Sequence, residues 1–405
     1  MSALEGMRVL DMTQYEAGTA CTQALAWLGA DVVKIERPGF GDPGRGLLIG
    51  GDHSAYFLNW NANKRSVALD LEKPEGRALL LRMLPRYDVF VENFGPGVLE
   101  KLGLDYEAMR AVQPTIIHAR IKGFGTGGPY AGYKCYDMVA QAAAGAFSVT
   151  GEAEGPPMCP GPTMADSGTG MQAALAITAA YVQRLREGCG QQIEIAMQEA
   201  MTFYMRTRVA NGSEWGTLAV PRSGNGAGPM LNLYPCAPGG PNDYVYLVVA
   251  TPRMWEQLCT ALGRPELAVD PRFKGWIVRH ENGAALYQEI ARWTRARTKH
   301  EAMRILAEAG VPCSAVLDTR DLFQDPQLLA RGFVKQVRHE VLGEVPILGS
   351  PFRLSKSEVE LTAAPVLGRH TDEVLRADLG LSEGELRRLH ESGVVATKES
   401  KPWPN

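Results

Sequence analysis

The sequence has no excess of either charge and no long apolar run. Its 42 lysines and arginines stand against 45 aspartates and glutamates, a net charge of −3, which gives no bulk attraction to nucleic acid. No apolar stretch approaches the roughly 18 residues of a membrane-spanning helix, and the N-terminus lacks the basic and apolar segments of a signal peptide. We therefore expect a cytoplasmic protein with neither nucleic acid nor membrane as a partner.

Several enzyme classes are disfavoured because their motifs are missing. The seven cysteines form no CxxC pairs and have no histidines at metal-binding spacing, so we expect reduced thiols and no bound metal. HExxH, GxSxG and the P-loop are absent, which disfavours metalloproteases, serine hydrolases and P-loop NTPases. The turn after the first predicted strand lacks GxGxxG, so we expect no nicotinamide or flavin cofactor.

Apolar strands alternate with helical patterns in the first half of the chain. The pattern predicts strands at 8–12, 31–36, 65–71, 87–94, 115–124 and 190–197, and helices at 18–30, 74–85, 97–112 and 167–186. Strands that are apolar on both faces and separated by helices predict a parallel sheet covered by helices. The predicted fold class is therefore α/β, with a Rossmann-like large domain.

The alternation of strand and helix patterns ends after residue 200. A chain of 405 residues is also longer than a single hydrophobic core usually accommodates, so we expect more than one domain. A polar, glycine-rich stretch is followed by a compact α+β pattern. The predicted domains are a large domain over 1–200, a linker and glycine loop over 201–228, a small α+β domain over 229–328, and a C-terminal return to the large domain over 329–405. Within that return, 397–405 is expected to be a loose tail.

Nine segments of the chain carry a more specific signal. In order they are "RVLDMTQYEAGTACTQ", "LGADVVKIERPGFGD", "NANKRSVALDL", "VENFGPGVLEKLGL", "KGFGTGGPY", "YDMVAQAAAGAFSVTG", "ADSGTGM", "MQEAM" and "LGRHTDEVL". In this order and spacing they resemble the family III CoA-transferases, which include formyl-CoA and crotonobetainyl-CoA transferases. The resemblance implies an interlocked homodimer, acyl-CoA and carboxylic acid substrates, and no cofactor beyond coenzyme A.

Asp166 lies in "PTMADSGTGM" (162–171), just before an alanine-rich segment. The local pattern predicts that it caps a helix beginning at Ser167, and the resemblance implies that it is also the catalytic nucleophile. Its carboxylate would attack an acyl-CoA thioester to give a mixed anhydride, and returning CoA thiolate would form an aspartyl-CoA thioester. We expect Asp166 to be ionised at neutral pH, with free amide N–H groups at the helix start to stabilise oxyanions.

The resemblance also implies a coenzyme A site at the carboxyl ends of the strands, where open α/β sheets bind ligands. The residues it assigns to CoA binding are Glu16, Ala17, Arg37, Leu69, Glu72, Asn93, Phe94, Gly95, Lys101, Lys134 and Tyr136. It assigns Asp137 to the substrate site and Gly224, Gly226 and Gly228 to a lid that closes over the intermediate. A surface linker is the alternative for this glycine loop.

Glu16 departs from the family pattern, because formyl-CoA transferases carry glutamine there, near the reacting acyl group. A carboxylate at this position would repel a small dianion such as oxalate. The expected reaction is CoA transfer from an acyl-CoA, with succinyl-CoA as the favoured donor, to a free carboxylic acid larger or less charged than oxalate.

Two alternatives remain for the activity. One is an α-methylacyl-CoA racemase-like enzyme, which needs a histidine acid/base, although the chain has no histidine between His118 and His280. The other is a non-catalytic subunit of a heteromeric CoA-transferase that contains a related chain.

Overall fold

A computed structural model describes residues 1–47 and 53–396 of the chain. The predicted tail, 397–405, lies outside the described residues. The chain forms two compact units: the first comprises 1–147, 159–219 and the described residues after 329, and the second comprises 148–158 and 220–329. The predicted domain boundaries stay a prediction, and residues 148–158 belong to the second unit in addition to those assigned from sequence.

The N-terminal part of the first unit alternates strands and helices, as the hydrophobic pattern predicts. Its elements are β1 (Arg8–Met12), α1 (Ala17–Trp27), β2 (Asp31–Glu36), α2 (Ala55–Trp60), β3 (Arg65–Leu69), α3 (Pro74–Met83), β4 (Val89–Glu92), α4 (Val98–Leu102), α5 (Tyr106–Val112), β5 (Ile117–Lys122), α6 (Asp137–Ala143), α7 (Met164–Glu187), β6 (Gln191–Ala196), α8 (Met197–Tyr204) and α9 (Arg206–Gly212). The single helix predicted over 97–112 is wrong. Gly103, with φ 66°, ends α4 in the left-handed region before α5 begins.

The second unit is a small α+β assembly. Its elements are β7 (Leu231–Pro235), β8 (Tyr244–Val248), α10 (Pro252–Ala261), α11 (Trp276–Glu281), α12 (Gly283–Arg295), α13 (Lys299–Glu308), β9 (Cys313–Ala315) and α14 (Asp321–Gln324). The three strands form an antiparallel sheet in the order β7-β8-β9. Trp255, Leu258, Ile290 and Leu306 pack in its buried core.

The chain then returns to the first unit. The return follows α15 (Pro326–Ala330), in which only Ala330 belongs to the first unit. It contains β10 (Val334–His339), β11 (Gly343–Leu348), α16 (Thr371–Leu379), α17 (Glu383–Glu391) and β12 (Val395–Ala396). β12 pairs antiparallel with β3 and completes a seven-stranded sheet in the order β12-β3-β2-β1-β4-β5-β6. The other neighbours in this sheet are parallel, which confirms the predicted α/β class. Leu375 and Leu389 share a core cluster with Leu79 and Leu80 of α3.

Buried ion pairs lie against the first strands of the sheet. Lys64 Nζ is 3.0 Å from Asp11 Oδ2, and Lys34 Nζ is 2.8 Å from Asp42 Oδ2. Burial alone would raise the pKa of Asp11, but Lys34, Lys64 and hydroxyl hydrogen bonds outweigh it and lower that pKa to about 2. For Lys64, burial outweighs Asp11 and lowers the pKa to about 8. Each lysine therefore depends on its carboxylate to stay charged inside the protein.

None of the helices in the described ranges combines the length and apolar character that a bilayer crossing requires.

Candidate active site

The strand order of the large sheet reverses between β1 and β4. β2 and β3 follow β1 on one side, whereas β4, β5 and β6 extend on the other. Open α/β sheets bind ligands outside the carboxyl ends of the strands at such a point. Two adjoining clefts lie there, and Gln14 and Phe94 line both of them.

The first cleft has a volume of about 260 Å³ and is formed by the segments that follow β1, β4 and β5. Eight of the residues predicted from sequence line it: Glu16, Ala17, Asn93, Phe94, Gly95, Lys134, Tyr136 and Asp166. The candidate nucleophile therefore shares one cleft with seven residues assigned to CoA binding.

The second cleft has a volume of about 240 Å³ and is formed by the ends of β2 and β3. Of the predicted residues, Arg37, Leu69, Glu72 and Phe94 line it. Arg37 Nη2 lies 3.2 Å from Glu72 Oε2, and the guanidinium stacks 4.9 Å from the ring centre of Phe40. The cleft thus combines apolar walls with a cation that can reach an anionic ligand.

Five predicted residues do not line these clefts. Lys101 is exposed on α4, whose Val98 and Leu102 do line the second cleft. Asp137 lies behind the first cleft, as described below. The remaining three, Gly224, Gly226 and Gly228, belong to the second unit.

The glycine loop is constrained by packing inside the second unit. A Cβ at Gly226 would lie 1.9 Å from the Leu231 carbonyl oxygen, and one at Gly228 would lie 2.6 Å from His280 Nδ1. Close packing within the second unit therefore explains why these two positions are glycine. The lid role stays a prediction.

The turn after β1 holds Glu16 at the start of α1. Tyr15 has φ 58°, a conformation that bulky residues rarely adopt. Its N–H donates to Asp42 Oδ1 at 3.1 Å, and Asn93 both accepts from the Gln14 N–H and donates to its carbonyl at 2.8 Å. The Asn93 side chain therefore fixes this turn.

Asp166 is not the N-cap of its helix, so that prediction is wrong. α7 begins at Met164 with Thr163 as its N-cap residue, and Asp166 lies in the first turn, 9% exposed. The cap comes from α6: Asp137 Oδ1 accepts from Ala165 N at 2.9 Å and from Asp166 N at 3.1 Å. A carboxylate from another helix replaces the local cap and lets the helix begin earlier.

The backbone amides from Met164 to Ser167, at the start of this helix, all have acceptors. Besides the two amides bound to Asp137, Met164 N donates to the Pro162 carbonyl and Ser167 N to that of Thr163. These four amides are therefore occupied, and the oxyanion of a reaction intermediate needs donors other than these.

Three carboxyl groups, from Glu16, Asp137 and Asp166, meet at the first cleft. Burial, with the charges of Glu16 and Asp137, raises the pKa of Asp166 to about 8. Burial also raises the pKa of Glu16 to about 7, although a hydrogen bond from the Thr163 hydroxyl opposes it. The raised pKa opposes the predicted ionisation of Asp166 at neutral pH, because burial disfavours the charged carboxylate.

Sequence reasoning missed Thr163 and two tyrosines. Thr163 binds a residue 147 positions away, and nothing in the sequence pattern indicates the pair. Tyr15 shapes the turn before Glu16, and Tyr56 faces the carboxyl groups, which together with burial raise its pKa. Neither tyrosine belongs to a distinctive sequence pattern, so only the fold identifies these positions.

His118, the histidine that precedes the predicted site, lies away from both clefts. It is on β5, 1% exposed, and burial with nearby Arg120 and Lys122 lowers its pKa to about 3. A histidine that stays neutral and buried cannot exchange a proton with a ligand in the clefts.

The chain is similar in sequence and in fold to known proteins. A family model described as CoA-transferase family III matches residues 4–371. Formyl-CoA:oxalate CoA-transferases of Streptomyces coelicolor and Rhodopseudomonas palustris are 42% and 40% identical to the chain, covering 97% of it and 99% and 97% of their own lengths. The crystal structure of a CAIB/BAIF family protein from Brucella suis is similar with a TM-score of 0.83 and 32% identity, covering 93% of this chain and 99% of that one.

Proposed function

The chain belongs to CoA-transferase family III, and we propose that it moves coenzyme A from an acyl-CoA to a free carboxylic acid through covalent intermediates on Asp166. The observation that carries this proposal is the first cleft, where the buried Asp166 carboxyl lies among residues that the sequence assigns to CoA binding. The second cleft, with Arg37 at its rim, suits the nucleotide end of the same CoA.

The proposed chemistry needs no group beyond the carboxylate, the thiolate and the two acids. Ionised Asp166 attacks the thioester carbonyl, the C–S bond breaks, and a mixed anhydride and CoA thiolate result. The thiolate attacks the aspartyl carbonyl, which releases the first acid and leaves CoA on Asp166. The acceptor carboxylate then attacks this thioester, and the released thiolate takes the acceptor acyl group and frees Asp166. Because Asp166 must first lose its proton, the donor half of the reaction should speed up as the pH rises through about 8.

We propose succinyl-CoA as the donor and an acid larger or less charged than oxalate as the acceptor, because Glu16 adds a carboxyl beside the nucleophile. The similar formyl-CoA:oxalate CoA-transferases suggest a second combination of donor and acceptor, formyl-CoA and oxalate. A panel of both donors with acetate, propionate, succinate, formate and oxalate distinguishes the two pairs.

Trapping the intermediate tests the proposed role of Asp166. With succinyl-CoA and hydroxylamine, peptide mapping by mass spectrometry should find a hydroxamate at Asp166, because acyl anhydrides and thioesters react with this amine. Asp137 is the internal control, since it lies next to Asp166 but its oxygens are bound to backbone amides and Gln141. Full turnover with an unmodified Asp166 would refute the covalent mechanism.

A homodimer is proposed from apolar side chains that α7 and α8 expose. Leu175, Leu185 and Phe203 are 72%, 67% and 54% exposed, and such surfaces mark contacts with other chains. Light scattering should give twice the chain mass of 44.0 kDa. Interlocked chains cannot separate without unfolding, so this mass should persist on dilution to nanomolar concentration. A mass of one chain, or a mass that falls with dilution, contradicts the interlocked dimer.

A further inference from the structure

The Glu16 side chain does not cap the helix that begins after it. It occupies the N-cap position of α1 but makes no cap hydrogen bond, and it is 3% exposed in the cleft that holds Asp166. The Thr163 hydroxyl donates to Oε1, and among the described residues no hydrogen bond reaches Oε2. One carboxyl oxygen is therefore fixed in place while the other remains available to a ligand.

The charged groups that surround Glu16 are acidic. Asp137 of α6 and Asp166 of α7 interact with it electrostatically, and Tyr56 of α2 faces both Glu16 and Asp166. Burial first, and then the charge of Asp137, raise the pKa of Glu16, and both persist when CoA is attached to Asp166. Glu16 therefore keeps its tendency to bind a proton when CoA is esterified to Asp166.

We propose that Glu16 selects the acceptor acid, by donating a hydrogen bond from its protonated Oε2 to the carboxylate that attacks the Asp166 thioester. This inference rests on the proposed function and adds the substrate class to it. The acceptors are acids with no second charge next to the reacting carboxylate, such as acetate or propionate. Oxalate carries its second carboxylate one bond away, and in a cleft of about 260 Å³ that charge would face Glu16 and Asp137 at short range.

No proton is consumed in this role. Glu16 keeps its proton while the acceptor carboxylate forms the new bond to the aspartyl carbonyl carbon and CoA leaves as thiolate. When Glu16 is ionised, it has no hydrogen to donate and repels the acceptor, so transfer to the acceptor should weaken at high pH.

The test uses the second half of the reaction, in which Asp166 is already a thioester and does not titrate. Glu16→Gln keeps a donor of the same shape but cannot ionise, and Glu16→Asp keeps the ionisation with a shorter reach. With CoA loaded from succinyl-CoA, wild-type kcat/KM for acetate should fall roughly tenfold per pH unit above about 7. The Glu16→Gln profile should be flat, while Glu16→Asp should retain the fall. At pH 8, Glu16→Gln should raise the kcat/KM ratio of oxalate to acetate by about tenfold or more.

The outcomes separate this inference from the function on which it rests. If CoA loads onto Asp166 and transfers, but wild type and Glu16→Gln share one pH profile and one oxalate to acetate ratio, the role of Glu16 is refuted and the transferase proposal stands. Absence of CoA on Asp166, together with transfer to no acid, would overturn both. Thermal unfolding of each variant shows whether a lost activity reflects a lost fold.

Discussion

Replacing Asp166 with alanine should abolish CoA transfer, lowering kcat/KM by at least about 1,000-fold. The variant loses the atom that bonds to the acyl carbon, and the two neighbouring carboxyl groups are held by other contacts: Asp137 accepts from the helix amides, and Glu16 Oε1 accepts from the Thr163 hydroxyl. Initial rates with succinyl-CoA and the best acceptor from the panel give the measurement.

The fold of this variant should be intact, for an electrostatic reason. The pKa of folded Asp166, about 8, lies above its ordinary value near 4, so its contribution to stability is present below pH 4 and declines as the pH rises through 8. Alanine removes this decline, and the melting temperature at pH 9 should not fall on account of the lost charge.

A matched control is Asp378→Asn, which changes a carboxylate 7% exposed on α16. Asp378 binds Arg8 and Tyr87 at the amino end of β1, the opposite end from the clefts. It should lose stability but keep its kcat/KM. Equal activity of Asp166→Ala and wild type would exclude Asp166 as the nucleophile.

Replacing Asp11 with asparagine should lower the free energy of unfolding by about 3–5 kcal/mol at pH 7, because it leaves the fully buried Lys64 without its carboxylate. Asp11 also accepts hydrogen bonds from Thr13 and Thr22. Urea unfolding followed by circular dichroism measures the change.

The sign of its pH dependence follows from the lowered pKa. Because folded Asp11 titrates near 2 and the unfolded group near 4, its contribution is complete above pH 4 and is lost as the pH falls through 2. The comparison is Glu75→Gln, which breaks the exposed pair with Arg388 and should cost less than about 1 kcal/mol. If the two substitutions lower the free energy of unfolding by the same amount, burial does not strengthen the ion pair between Asp11 and Lys64.

The parallel sheet was predictable because its strands are apolar on both faces, a property that each segment carries by itself. β1 and β2 begin and end where the pattern predicts. Eight residues of the first cleft were also predictable, because the family resemblance aligns them one by one.

The protonation of the carboxyl groups in the site was not predictable, because it depends on contacts between segments that are distant in the sequence. Asp137 caps α7 from 28 and 29 positions away, and this contact moves the helix start and occupies the amides that local reasoning left free. The raised pKa of Asp166 likewise comes from burial and from Glu16, 150 positions earlier in the chain. Neither the capping contact nor the raised pKa can be inferred from a local sequence pattern.

The last strand of the large sheet has a consequence for how the protein is made. Val395 of β12 pairs with Leu69 of β3, and Leu69 borders the second cleft. A nascent chain on the ribosome has therefore synthesised the whole second unit before it can cover this edge. Throughout that interval β3 presents unpaired backbone groups and α3 presents the leucines that α16 and α17 later bury. Emergence of β12, rather than of the six strands before it in this sheet, is thus the event that completes the sheet.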